Sequence, residues 1–149
     1  MQVLTVLDVY SRWQMGHYIA FLIKKEDVIQ LFDEIFSKFA IPKNMFVRND
    51  NGSQFIAQEV QDYFLNKNVT QEFTKPATPE QNSHIESYHS IMESAVCQRF
   101  EFKNLEDVRT TMNQFRRFYN FERIHGGIGF QSPAEYLVSR GIIMCQESI

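Results

Sequence analysis

Cysteine is scarce in this chain. Cys97 and Cys145 stand far apart, neither at metal-ligand spacing from another cysteine or a histidine. That argues against a cysteine-built zinc site or a disulfide framework and favours reduced thiols in a cytosolic protein. No apolar run approaches the length of a membrane span, so no membrane partner is expected. The first residues lack a basic stretch followed by an apolar core, so no signal segment is expected either. With only four prolines and six glycines there is no low-complexity tract, no repeat and no long linker. Surplus positive charge is missing too: the net charge of -3 gives no overall pull toward nucleic acid. What remains is globular in character, 149 residues with 44% hydrophobic and 22% charged side chains and 14 phenylalanines, one domain's worth of chain with a real core.

The charge is uneven. Residues 1–98 carry 8 basic and 12 acidic side chains, residues 99–149 carry 7 and 6. Arg109, Arg116, Arg117, Arg123 and His125 lie in or just past one helical segment. A local basic patch binds phosphate even on an acidic chain; a solvated helix face is the plainer reading of the same residues.

In chain order, the apolar run Gln2–Val9 reads as a buried strand, Tyr10-Ser11-Arg12 as a turn and Met15–Ile23 as the second arm of a hairpin. A helix starts at Lys24-Lys25-Glu26-Asp27, buries Val28, Leu31, Phe32, Ile35, Phe36 and Phe39, and ends by Pro42. Met45–Arg48 reads as a buried strand, Phe55–Asn66 as a helix with Ile56, Val60, Tyr63 and Phe64 inward, and Val69–Phe73 as a strand. After the polar loop 75–82, a helix from Pro79 to Phe100 is capped by Thr78 and turns Ile85, Tyr88, Met92, Ala95, Val96 and Arg99 inward. Leu105–Glu122 is a helix facing in with Val108, Met112, Phe115 and Tyr119. Ser132-Pro133-Ala134-Glu135 is a capping box opening a short last helix, stopped by Gly141. This order predicts a mixed α/β sheet of at least four strands covered by helices, with a helical tail.

Asp50 falls at the carboxyl end of a strand, where open α/β sheets place their chemistry. Taken alone it fits a turn-forming aspartate before Gly52 as well as a ligand. Glu86 lies one position off the inner stripe of its helix and, alone, reads as a surface residue. Two carboxylates brought to one point repel unless a cation or proton lies between them.

These residues carry a resemblance. Asp50-Asn51-Gly52-Ser53-Gln54-Phe55, the 35 residues between Asp50 and Glu86, the run Thr78–Ser87, and Phe118–His125 followed by Gly129 and Ser132–Tyr136 resemble the integrase catalytic core of bacterial insertion-sequence transposases, which shares the retroviral-integrase-like, Asp-Asp-Glu architecture. The resemblance covers nearly the whole chain. It implies a ribonuclease-H-like mixed sheet, with residues 1–125 as catalytic core and 126–149 as a tail. It implies a polynucleotidyl transferase that cuts and joins DNA in a bacterial cytoplasm, acting on transposon ends and target, with another transposase chain or as a homodimer. Asp50 and Glu86 become ligands of Mg²⁺ or Mn²⁺, two ions in the family. Lys75, Asn82, His89, Arg116, Arg123 and His125 become candidates for DNA contact; for Asn120, Arg123 and His125, anchoring of the tail is an equal alternative. His84 is expected to point elsewhere, and His17 to be structural.

One element departs from the pattern. Asp8 to Arg12 matches the family's second strand and its Asp-x-x-Ser-Arg ending, so Asp8 is not the first catalytic aspartate. That residue is expected on a central strand preceding Met1, leaving the site incomplete within these residues and the chain inactive alone. Two other readings stand beside this one: a non-catalytic module binding nucleic acid or protein, and a ribonuclease-H-like nuclease completed by Asp8.

Overall fold

The computed structural model describes residues 1–142, apart from the side chains of Pro79 and Gln81. The C-terminal run 143–149, including Cys145, lies outside the described residues. Four strands form, β1 (Gln2–Leu7), β2 (Gln14–Ala20), β3 (Phe46–Asn49) and β4 (Thr70–Phe73). They make two separate ladders rather than one sheet: β1 with β2, and β3 parallel to β4 with Phe46 opposite Thr70 and Asn49 opposite Phe73. The helices are α1 (Lys25–Lys38), α2 (Ser53–Ile56), α3 (Gln58–Asn66), α4 (Ser83–Met92), α5 (Leu105–Phe121) and α6 (Pro133–Ser139). The chain divides into two compact units, Met1–Leu4 with Gly16–Ser83, and Thr5–Met15 with the chain from His84 onward.

In the first unit, α1 buries Val28, Leu31, Phe32 and Ile35, the stripe its periodicity demanded. Asp27 accepts from the Lys24 amide at 2.8 Å and satisfies a donor that the first turn leaves without a partner. Gly16 lets β2 lie flush on α1, since a Cβ there would stand 3.1 Å from Leu31 and 3.3 Å from Ile35. Phe32 meets Phe64 of α3 edge to face at 4.8 Å. Two expectations fail here. The helix over Phe55–Asn66 is broken at Ala57, whose backbone is extended (φ -50°, ψ 133°), and Ile56 is exposed instead of inward. No glycine or proline announces the break; Gln61 donates to the freed Ile56 carbonyl at 2.6 Å and stabilises it. The strand ending at Asp50 is also not fully buried, with Phe46 58% exposed, because β3 has a neighbour only on its β4 side.

The first unit closes on a 3-10 turn (Pro79–Asn82) that leads directly into α4, and α4, which carries the chain into the second unit, ends in one π turn over Glu93–Cys97. The single helix expected from Pro79 to Phe100 is thus three pieces. Thr78 does not cap it, its hydroxyl donating back to the Lys75 carbonyl instead, and Arg99 is exposed. Tyr88 and Val96 are buried. Asn104 caps α5 by accepting from Asp107 N at 2.9 Å, and Val108, Met112, Phe115 and Tyr119 face inward as the pattern requires. The Ser132–Glu135 box forms in full.

Two polar residues join that apolar face. Asn120, fully buried, pairs with both backbone groups of Gln14: its amide donates to the carbonyl at 3.1 Å and its oxygen accepts the N–H at 2.8 Å. Arg116, one turn earlier, donates to the carbonyls of Gln14 (3.3 Å) and Met15 (2.9 Å). The first residues of β2 thus find in α5 the partners a neighbouring strand would have given. Replacing Asn120 by Ala takes Oδ1 from the buried Gln14 N–H and leaves the carbonyl to Arg116; a urea melt is expected to show a loss of roughly 2 kcal/mol, whereas Asn113→Ala on the exposed face of α5 leaves the midpoint unchanged.

Candidate active site

Asp50 follows directly on β3, and its turn is tied down on three sides. Asn49 donates to the Asp50 carbonyl at 2.7 Å, Asn51 to the Thr74 carbonyl at 2.8 Å, and Gln71 of β4 to Asn49 Oδ1 at 2.9 Å. Asp50 Oδ1 accepts the Gly52 amide at 2.8 Å, so the residue does form the turn. Oδ2 accepts no hydrogen bond among the described residues, and the side chain is exposed. Gly52 suits the position because a Cβ there would come within 3.0 Å of the carboxylate. The aspartate is therefore turn-former and available oxygen donor at once.

Glu86 sits in the first turn of α4 and is exposed, where the helix dipole favours a negative charge. Two positions on, Tyr88 points inward, its hydroxyl accepting from Gln14 Nε2 at 3.1 Å, so the burial of Tyr88 orients the face bearing Glu86 outward. His89, one turn along, is held below the ordinary imidazole range by burial, with the Glu86 carboxylate pulling the other way. His84 is depressed by burial and by the Arg12 guanidinium.

The remaining candidates separate. Lys75 is exposed in its loop, and Asn82 is half-buried in the 3-10 turn. Arg116, a candidate for DNA contact in the sequence, is instead buried with its guanidinium on two backbone carbonyls. Asn120 is likewise an internal anchor. Arg123 and His125 come together, Arg123 Nη1 standing 3.0 Å from His125 Nδ1, and His125 meets the Tyr119 ring at 4.8 Å. Asp8 is occupied in the hairpin turn: Oδ1 accepts Tyr10 N at 3.3 Å, while Oδ2 accepts Ser11 N at 3.1 Å and the Ser11 hydroxyl at 2.5 Å. Gln14 and Arg12, which hold so much of the second unit, carried no signal as isolated letters; only the Ser11-Arg12 match pointed near them.

For a divalent cation each of the two carboxylates, one in each unit, fits in kind. Asp50 and Glu86 offer the hard oxygen donors that Mg²⁺ and Mn²⁺ take. Among the described residues no three His, Cys, Asp or Glu side chains gather as a metal group. Nor is any described helix long and apolar enough to cross a membrane.

The chain belongs to the integrase core domain family: one model of that description matches residues 1–79, and a second matches residues 67–133. Among its relatives, "Putative integrase ORF3" of Spiroplasma virus SpV1-C74 is 26% identical over 155 aligned residues, 92% of this chain and 42% of that protein. The "Insertion element IS476 uncharacterized 39.2 kDa protein" of Xanthomonas euvesicatoria is 26% identical over 133 residues, 89% of this chain and 38% of that protein. The chain thus spans less than half the length of these relatives. In structure it is similar to the catalytic core domain of BIV integrase, with a TM-score of 0.70 at 18% identity over 93% of this chain and 87% of that one. A chain of the simian T-cell lymphotropic virus intasome in complex with PP2A regulatory subunit B56 gamma gives 0.68 at 11% identity, over 88% and 46%. At such identities the likeness establishes the fold, the ribonuclease-H-like mixed α/β architecture of an integrase core.

His125 supplies a pH test of the second unit. Burial first, then Arg123 and Arg12, hold its pKa at about 4 against an ordinary 6.5. Between those values the unfolded chain binds more protons than the folded one, so stability is greatest above pH 6.5, falls as pH drops through that value, and levels off near 4. Melting temperatures across this range are expected to show the slope, and His125→Asn to reduce it while His84 and His89 retain their own smaller shares.

Proposed function

We propose that these residues form the greater part of a catalytic core for metal-dependent cleavage and joining of DNA strands, as in integration or transposition. The observation that carries the reading is Asp50. In a chain of this family it is an exposed carboxylate on a braced strand tip, with one oxygen spent on its turn and the other left to bind a cation. Glu86 is the second ligand, presented from the first turn of α4. Bound there, Mg²⁺ or Mn²⁺ would activate the attacking oxygen and steady the leaving oxygen of an in-line phosphoryl transfer. The protein's own part is to hold two carboxylates on regular elements and to spare them other partners.

The reading includes incompleteness. A third carboxylate is needed, and Asp8 is a poor source because both its oxygens already serve the turn. The two ladders give the same message, since β1–β2 and β3–β4 are pairs that a strand bearing an aspartate would join into one sheet. We assign that strand to sequence beyond these 149 residues, in the same polypeptide or another, and take the chain alone to be inactive. Residues 1–125 then belong to the core and 126–149 to a tail; transposon-end and target DNA, and further copies of the transposase, are the partners in a bacterial cytoplasm. Lys75, Asn82 and His89 are the candidates for DNA contact closest in sequence to the carboxylates.

Calorimetric titration with Mn²⁺ is expected to show binding that is lost in Asp50→Ala and unaffected in Asp8→Ala. Supplying the strand with its aspartate is expected to restore cleavage of transposon-end DNA in Mg²⁺ or Mn²⁺. Binding that requires Asp8 would favour the nuclease reading, and failure of the completed sheet to cleave would sink the catalytic one.

A further inference from the structure

Arg12 occupies the turn between β1 and β2 in left-handed backbone, φ 64°. A non-glycine residue in that region costs backbone energy, so its surroundings must hold it there. Its guanidinium lies against the loop after α5: a Cβ on Gly127 would stand 3.2 Å from Arg12 Nη2, so glycine permits the approach. Arg123 reaches the same loop through His125, and its guanidinium lies 5.9 Å from the centre of the Tyr119 ring that His125 also meets. The loop itself is firm. His125 N donates to Gln131 O and Phe130 N to His125 O, both at 3.0 Å, Gln131 Nε2 donates to Ile128 O at 2.8 Å, and Ile128 is buried beneath.

The charges here are not balanced. Neither arginine belongs to an ion pair among the described residues. The carboxylates of Asp8 and Glu135, both in this unit, are committed to backbone amides. Both guanidiniums depress the pKa of His125, which is therefore neutral at pH 7. An arginine can only donate, so the neutral His125 ring accepts from Arg123, whose Nη1 stands 3.0 Å from Nδ1 and 3.3 Å from Nε2, and the ring keeps one N–H of its own. Two planar forks, an imidazole N–H and a glycine pair without side chains suit a tetrahedral oxyanion far better than a carboxamide or a cation.

We propose that Arg12, Arg123 and the His125–Gly127 loop form a phosphate clamp, formed of residues other than Asp50 and Glu86, that grips a backbone phosphodiester of nucleic acid. The choice of nucleic acid over free phosphate rests on the function proposed above; the clamp itself rests on its own geometry. It positions DNA and takes no part in the chemistry, so it reads no sequence.

The test is binding of a short DNA duplex to the full chain in EDTA, which removes any contribution of metal at the carboxylates. The logarithm of affinity falls linearly with the logarithm of salt concentration, with a slope near 0.9 per phosphate neutralised. Arg12→Gln and Arg123→Gln are each expected to weaken binding and flatten that slope, and the double variant to flatten it by about 0.9, the share of the one phosphate the clamp holds. Arg123→Lys should keep the slope and weaken binding, because the charge stays and the fork is lost. Folded single variants that keep the wild-type slope overturn the clamp. Should a variant fail to fold, the wild-type protein decides: duplex should shift the NMR signals of the Gly126 and Gly127 amides and the His125 ring, and their silence overturns the proposal. If inorganic phosphate moves those signals and duplex does not, the nucleic-acid assignment falls. Loss of Mn²⁺ binding with the salt slope intact would remove the catalytic reading alone.

Discussion

The pairing of one glutamine's backbone with one asparagine's side chain sets much of the second unit. Gln14 has no room for water, and its N–H and carbonyl would each be costly to bury alone. Asn120 answers both, Arg116 adds a charge-assisted bond to the carbonyl, and Tyr88 meets the side chain. Apolar packing tolerates small slips, but a two-bond amide pair has one register. The start of β2 therefore fixes the rotation of α5, and through Tyr88 that of α4, which presents Glu86. The Arg12 turn is carried on the same short segment. The side chains assigned to chemistry and to phosphate in this unit thus inherit their positions from an internal polar network that performs neither task.

That network also explains what could be read in the letters of the chain. Periodicity announced α1 and α5 and their buried faces, because a stripe of apolar side chains is a property of composition and spacing alone. The capping box at Ser132 was legible for the same reason. Asp50 and Glu86 stood out through motif and interval, not through any local physical signal, and Asp50 proved to form the turn with one carboxylate oxygen, which leaves its other oxygen open. Arg116 shows the opposite case. As a letter in a basic helix it suggested phosphate, and only its position one turn from Asn120, on the face turned toward Gln14, makes it internal. The break at Ala57 and the π turn at Glu93–Cys97 left no mark either, since both are stabilised by contacts that a linear pattern does not encode.

The two ladders are the other organising fact. Phe46 on β3 and Phe73 on β4 are large apolar side chains left 58% and 37% exposed on a two-stranded ladder. A pair of strands buries less than a full sheet would, and parallel pairs are ordinarily found well inside one. The strand tip that bears Asp50 is nonetheless well made, because its bracing comes from Asn49, Asn51 and Gln71 and not from a further neighbour. The geometry of this carboxylate thus depends little on the rest of the sheet.

The bond between Gln14 and Asn120 closes a loop of 106 residues. During synthesis, Gln14 is made about 5–20 s before Asn120, at usual elongation rates. Throughout that interval the opening of β2, with the indole of Trp13 beside it, has none of the α5 partners that later cover it. The first unit draws on residues up to Ser83 and can begin to consolidate earlier. The two halves of the hairpin are therefore out of step in time: its outer residues belong to a unit that is ready early, and its turn belongs to one that must await α5. The segment around Gln14 thus emerges sticky and its shelter arrives late, which makes the pace of translation and the presence of a holding chaperone part of how the fold is reached.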